Sequence, residues 1–316
     1  VIGIGFLYLM TGSLNLVDIS NRLGDLNASR PVLVALAFIT VGVSLKLALF
    51  PLHQWLPNAY TYAPSSVSSF LAATATKVAI YVLLRFYFSV FDHTIIFGAL
   101  PLQAILMALA LAGMFAASTI AIFQSDLRRL FAFSSVGQVG YIILGMALNS
   151  VNGVTSSVLH LFNHGITKGA IFMLLGIVSL RLGGVQLSQL NGLAKRMPLT
   201  SFAIVVCGLS LIGVPGTAGF ISKWYLLLAA LEQNLWWLAF LIVASSLLAI
   251  MYVWRFVEVA YLQDPPADAP PVSAPPLMMA VPTGLLVLAT VYFGLDTDFT
   301  VGSATAAAEL LMGVAP

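Results

Sequence analysis

Long apolar runs alternate with short polar interruptions along this chain, and the length of the runs is the first informative quantity. A bilayer core of about 30 Å takes roughly 20 apolar residues as a helix. On that measure nine spans are predicted, at 1–17, 31–57, 65–90, 101–123, 129–149, 153–181, 198–231, 236–262 and 276–295. Between them, DISNRLGDLNASRP (18–31) reads as a polar loop and QDPPADAPPVSAPP (263–276) as an extended, polyproline-like segment. Two spans are interrupted. The second contains LKLALFPLHQWLP, with Pro51 and Pro57, and the seventh contains LSLIGVPGTAGFISKW, where Gly213, Pro215, Gly216 and Gly219 gather. An interior proline removes a helical hydrogen bond and clashes with the preceding turn, at a cost of about 3 kcal/mol. In lipid the freed backbone groups must find partners in protein or in a wet cavity. Broken spans in two halves of a chain are the expected mark of inverted repeats with sites near the membrane midplane.

Composition turns this pattern into a class. Hydrophobic residues make up 60% of the 316 positions, charged residues 8%, and the mean hydropathy is +1.02. A soluble domain carries about 25% charge, so the chain reads as an all-α, polytopic membrane protein, a single transmembrane domain in contact with the lipid bilayer. A net charge of +2 gives no basis for a nucleic-acid partner, and the single cysteine, Cys207, rules out a disulfide framework. Val1 is not a methionine, and VIGIGFLYLM starts within an apolar run without a basic leader. An N-terminal portion is therefore expected to precede it. Loop cations give the orientation. Arg128, Arg129, Arg181, Lys195 and Arg196 follow spans four and six, whereas Arg22, Arg30 and Arg85 are diluted by Asp18, Asp25, Asp92, Asp296 and Asp298. The first group is expected on the cytoplasmic side.

The charges inside the spans carry the chemistry. Of five lysines, Lys46, Lys77, Lys168 and Lys223 fall within predicted spans and Lys195 in a loop. A lysine at a helix centre costs about 2.5–3.5 kcal/mol on insertion scales. Lys46, near Pro51, can snorkel towards an interface, but Lys77 and Lys168 lie too deep. HLFNHGITKG (160–169) places His160, His164 and Lys168 four residues apart on one face, with about 40° of drift per step from the helical period. Successive sites on such a face lie about 6 Å apart. Histidine titrates near neutral pH, and a desolvated lysine can move into that range, so the file suits a proton relay. Zinc ligation lacks further ligands and the glutamate of an HExxH motif. Bis-histidine haem ligation wants ligands on opposite sides of the iron, and a structural role for either histidine stays open. No cofactor or metal is expected. Ser134, Ser135 and Gln138 in LFAFSSVGQVGY are small or polar groups that can pack close to a neighbour and support the relay.

Four stretches carry a resemblance: 46–86 (KLALFPLHQWLPNAYTYAPSSVSSFLAATATKVAIYVLLRF), FQSDLRRLFAFSSVGQVGY (123–141), HLFNHGITKGAIFML (160–174) and GVPGTAGFISKW (213–224). In this order they resemble the signature segments of the antiporter-like membrane subunits. That family comprises the proton-channel subunits of respiratory complex I and the large subunits of Mrp-type cation/proton antiporters. The resemblance implies fourteen helices in two inverted five-helix repeats, with the seventh and twelfth helices broken. The spans here would be helices six to fourteen, with 31–90 ending the first repeat, 101–231 forming the second and 236–316 supplying C-terminal helices. By motif, Lys46 resembles the central lysine of the seventh helix and Lys77 the relay residue of the eighth. His160, His164 and Lys168 resemble the basic file of the eleventh, and Lys223 the terminal residue of the twelfth. The family pairs the seventh-helix lysine with a glutamate on the fifth helix. No carboxylate here occupies an equivalent span, so that glutamate is expected upstream of Val1.

In overall texture, 46–77 and GFISKWYLLLAALEQ look most like the Mrp-type D subunit. The resemblance thus implies a proton-conducting subunit of a multisubunit Na+/proton antiporter in the bacterial cytoplasmic (inner) membrane. Its partners would be other membrane subunits, protons and a monovalent cation, with no covalent chemistry of its own. The alternative is a proton-pumping subunit of complex I, an NADH-quinone oxidoreductase, or of a membrane-bound hydrogenase. The redox centres would then lie in other subunits, since this chain has no cysteine cluster. A solute permease with an anion site is the third reading, and it requires Lys46 and Lys223 to face one pocket.

Overall fold

The computed structural model describes residues 1–26, 29–91, 93–267 and 272–314. A chain in lipid must satisfy its backbone groups internally, so the apolar runs become helices. These are α1 (Ile2–Thr11), α2 (Leu16–Leu23), α3 (Arg30–Leu47), α4 (Trp55–Tyr62), α5 (Ser65–Val90), α6 (His93–Ala99) and α7 (Leu102–Ile122). They continue as α8 (Leu127–Ala147), α9 (Val151–Leu182), α10 (Pro198–Ile212), α11 (Ala218–Glu232), α12 (Trp236–Leu262), α13 (Leu277–Leu295) and α14 (Asp298–Leu311). Among the described residues, α3, α5, α7, α8, α9, α12 and α13 are each long and apolar enough to cross a bilayer. α1 and α2 qualify together, bent by 60°, and α10 and α11 are the two halves of the broken seventh span.

Some boundaries differ from the sequence expectation. The stretch at 18–31 is partly helical. Asn15 Oδ1 accepts from the amides of Val17 (2.9 Å) and Asp18 (3.3 Å), which starts α2, and Ile19 and Leu23 turn inward. Its polar residues lie on one face, an amphipathic period that loop-like composition conceals. Asn27 and Ala28 of this stretch, and Asp92, lie outside the described residues, as do 268–271 of the proline-rich connection. The flanks of that connection, 263–267 and 272–276, are non-helical as expected. α14 was not among the expected spans. It buries Thr300, Ala304 and Ala308 and packs on α9.

The two interruptions are also redrawn. α3 stops at Leu47, with Ala48 left-handed (φ 61), and turns through 49–54 around Pro51 lead to α4. Pro57 is not a break. It sits in the first turn of α4, where its missing N–H would have had no helical partner. The second break spans 213–217, with Gly213 (φ 90) and Gly216 (φ 85) in conformations that disfavour a side chain. Gly219 lies inside α11 instead. Its amide donates to Ser210 Oγ (3.1 Å), and a Cβ there would overlap the Ser210 carbonyl.

α8 is the centre of the bundle: each of its residues except Arg128 and Arg129 is buried, and α7 and α9 pack along it. At one end, Leu127 N donates to Val185 O and Gly192 N to Val259 O, both at 3.0 Å, while Lys195 pairs with Asp264 at 2.5 Å. The segments bearing Arg128, Arg129, Arg181, Lys195 and Arg196 therefore gather together, as the charge count groups them. The Lys195 ammonium holds the exposed Asp264 carboxyl below the usual carboxylate range, a contact that solvent screening keeps weak. At the other end Asn152 Nδ2 donates to Glu232 Oε1 (2.6 Å) and Gln233 Nε2 to the Leu148 carbonyl (2.6 Å).

Close packing of α7 on α8 depends on Gly140, where a Cβ would lie 2.7 Å from both the Ala110 carbonyl and Met114 Cγ. Gly140→Ala is expected to destabilise the bundle by about 1–3 kcal/mol, measured as a lower unfolding midpoint in detergent. An unchanged midpoint would contradict this packing.

Candidate functional site

α9 supplies the backbone of the site. Ser150 caps its start, accepting from Gly153 N (3.2 Å), and left-handed Gly183 (φ 79) ends it after 32 residues. α5, α8, α11, α13 and α14 pack around it, so its central face meets protein, not water. His160, His164 and Lys168 are exposed by 4%, 3% and 0%. The two imidazoles stack with centroids 5.8 Å apart and planes 10° apart. The spacing expected of the file is therefore present, but its members do not hydrogen-bond to one another. Their partners come from neighbouring helices.

Lys168 Nζ donates to the Phe131 carbonyl (2.7 Å) and to Ser134 Oγ (2.5 Å), both on α8, and lies 5.4 Å from the Phe131 ring centroid. His160 is held on two sides, with Nε2 2.9 Å from Gln138 Oε1 and Nδ1 2.7 Å from Ser222 Oγ. Lys223, on α11, reaches back across the helix break. Its Nζ donates to the carbonyls of Leu211 and Ile212 (both 2.9 Å) and to Ser246 Oγ (3.1 Å), 4.3 Å from the centroid of Tyr141. Those carbonyls end α10, where the helix has no further amides to offer and its dipole favours a cation. Tyr141 Oη in turn lies 2.6 Å from Ser245 Oγ.

Lys77 enters from α5. Its Nζ donates to the Ala72 carbonyl within a widened, π-helical turn at Leu71–Ala75. It approaches α9 at Gly165, where a Cβ would stand 3.2 Å from the Ala73 carbonyl and 3.9 Å from Lys77 Cε. Gly165 adjoins His164 on α9, so Lys77 comes close to the file beside His164. Neither nitrogen of His164 has a hydrogen-bond partner among the described residues, nor has Asn163 Oδ1, although Asn163 Nδ2 donates to the Ala218 carbonyl (2.7 Å). Both residues line a cavity of about 10 Å³ with Gln138, His160, Thr167 and Ser210, the size of a single water.

Lys46 departs from the expectation of one buried line. It is exposed, in the last turn of α3, and borders an outer cavity of about 820 Å³ with Val1, Phe38, Phe70, Thr74 and Val78. Within the described residues α3 buries a third of its span, 33%, and Lys46 lies on its uncovered face, beside the first residues of the chain. Among the described residues Lys46 borders this outer cavity, whereas Lys223 is buried against the end of α10. Of the supporting residues, Ser134 and Gln138 join the site, while Ser135 donates to the Phe131 carbonyl of its own helix (3.1 Å). Sequence reasoning missed Tyr141, Asn163, Ser222 and Ser246. Ser222 and Asn163 each immediately precede a singled-out base, the one available signal. Among the described residues, no group of three or more His, Cys, Asp or Glu gathers that could hold a metal ion.

A buried row of lysines and histidines, laced to a broken helix, sets this chain among multi-pass membrane proteins with a cationic interior. The sequence profile described as NADH:quinone oxidoreductase/Mrp antiporter, transmembrane, matches residues 1–249, and the chain belongs to this family. It is 42% identical over 94% of its length to NADH-quinone oxidoreductase subunit N of Desulforudis audaxviator, spanning 62% of that protein. It is 27% identical over 99% of its length to the D subunit of the Na(+)/H(+) antiporter of Bacillus subtilis, again spanning 62%. Among solved structures, a chain of the Mrp complex from Dietzia sp. superposes with a TM-score of 0.87 at 27% identity, covering 98% of this chain and 65% of that one. A chain of the archaeal membrane-bound sulfane sulfur reductase gives 0.88 at 30% identity, covering 98% and 62%. The chain thus spans less than two thirds of the length of these relatives.

Among the described residues, Lys168 donates to a carbonyl and a hydroxyl and pairs with no carboxylate. Lys168→Met, which removes a desolvated charge at similar volume, is expected to keep or raise the unfolding midpoint in detergent. A fall equivalent to more than about 2 kcal/mol would assign the lysine a structural role.

Proposed function

We propose that this chain is the proton-conducting part of an antiporter-like subunit, which moves protons through Lys46, Lys77, the file of His160, His164 and Lys168, and Lys223. The observation that carries this reading is that Lys77, His160, His164, Lys168 and Lys223 are all buried in one region, and none is paired with a carboxylate among the described residues. Such groups hold charge at a cost, and a proton on one disfavours a second on its neighbour. Charge then advances site by site instead of resting in a salt bridge. In this reading 31–90 closes one repeat, 101–231 forms a second and 236–316 adds C-terminal helices. The subunit works in the bacterial inner membrane alongside other membrane subunits.

The driving reaction belongs to those partners. Exchange against a monovalent cation, Na+, is supported by the relative named as the D subunit of an Na(+)/H(+) antiporter and by the likeness to the Mrp complex. Redox-driven pumping is a second reading, favoured by the higher identity, 42%, to the relative named NADH-quinone oxidoreductase subunit N. In vesicles containing the whole assembly, proton movement driven by a sodium gradient supports the first and quinone-dependent pumping the second.

For the path itself, Lys168→Ala and Lys223→Ala are each expected to reduce proton movement at least tenfold while the assembly still forms. Full activity in both variants would overturn the path.

A further inference from the structure

We propose that Gln138 fixes His160 as its Nε2–H tautomer, which leaves Nδ1, facing Ser222, as the one ring atom that takes up and releases a proton. The constraint begins at the helix break. α10 ends at Ile212, and among the described residues no backbone amide reaches the Leu211 carbonyl; Gln138 Nε2 (3.3 Å) and Lys223 Nζ (2.9 Å) donate to it instead. A carbonyl only accepts, so the amide group facing it must be the NH2. Turned the other way, Gln138 would set oxygen against oxygen and lose that bond. Its Oε1 is therefore held towards His160, 2.9 Å from Nε2. That oxygen also only accepts, so Nε2 carries a hydrogen whether the ring is neutral or charged.

Nδ1 meets a partner of a different kind. Ser222 Oγ lies 2.7 Å from it and 3.1 Å from the Gly219 carbonyl, and a hydroxyl can both donate and accept. With the ring neutral, the Ser222 hydroxyl donates to Nδ1. A hydronium ion reaching Ser222 Oγ gives it a proton and leaves as water while the hydroxyl hydrogen passes to the Nδ1 lone pair; the new N–H donates to Oγ, and the hydrogen just received turns to the Gly219 carbonyl. Release reverses these movements. One proton is gained or lost, and one C–O rotation separates the two charge states. Gln138 never takes the proton; it is a positioning residue. Its effect is to direct exchange towards α11, one residue before Lys223, and away from α8, where Nε2 faces a group unable to accept a proton.

This inference deepens the proton-conduction reading and rests on it for its functional consequence. The test uses the protein in lipid with its partner subunits, ¹⁵N-histidine labelling confined to this chain, and His160→Asn to assign the resonance. At a pH where the ring is neutral, solid-state NMR is expected to find Nδ1 with the shift of an unprotonated nitrogen and Nε2 with that of a protonated one. Gln138→Leu is expected to populate the Nδ1–H form and to lower proton movement at least tenfold. Ser222→Ala is expected to slow movement similarly, and Ser222→Thr, which keeps the hydroxyl, to restore it. A neutral wild-type ring protonated at Nδ1 would overturn the proposal, as would full-rate movement in Ser222→Ala. If Gln138→Leu does not fold, the wild-type spectrum still decides. A wild-type Nε2–H signal in an assembly that moves no protons would sink the conduction reading and leave the tautomer assignment standing.

Discussion

Where α10 stops inside the bundle, the carbonyls of Leu211 and Ile212 lose the amides that would have continued the helix, and the site is organised around satisfying them. An unpaired polar group at such depth costs several kcal/mol, and so does an ammonium without acceptors. Lys223 resolves both problems at once, since its Nζ reaches the two carbonyls at the negative end of α10. The Leu211 carbonyl also orients Gln138, which orients His160. A backbone interruption thereby fixes side chains on α8, α9 and α11 together.

The other buried lysines follow the same principle. Lys77 donates to the Ala72 carbonyl and Lys168 to that of Phe131. A neutral carbonyl solvates an ammonium without cancelling its charge, whereas a carboxylate partner would form a dipole with a short-range field. The charges on these lysines are therefore left unneutralised beside the imidazoles of α9. Both ion pairs found among the described residues, Arg22 with Asp18 and Lys195 with Asp264, lie at exposed positions.

Much of this was legible from residue spacing. The membrane class, the order of the long spans, the two interruptions and the inward file of α9 all follow from the period of apolar residues and the placement of lysine, histidine, proline and glycine. Lateral connectivity was not legible. The file on α9 suggested links along the helix, but the hydrogen bonds run across to Ser134, Gln138 and Ser222, on helices whose rotation about their axes the sequence does not display. Serine and asparagine gave no signal because they are ordinary in packed membrane helices. Lys46 differs from the other lysines of the spans in that α3 is covered on one side only by the residues described. α2 escaped notice because eight residues with one apolar stripe resemble a loop in composition.

The enclosure of α8 bears on how such a protein is made. With every position but Arg128 and Arg129 buried, this helix has no side suited to lipid alone. Its serines and glutamine are in their native surroundings only when α9, α10 and α11 have arrived. Helices are delivered to the membrane in chain order, so α8 enters before the segments that enclose it. Until they dock, it waits with polar groups turned to lipid or to a helper protein that shields them. Maturation of the bundle thus has an order imposed by geometry: α8 brings Ser134 and Gln138 first, and the helices after it bring the bases that these groups hold.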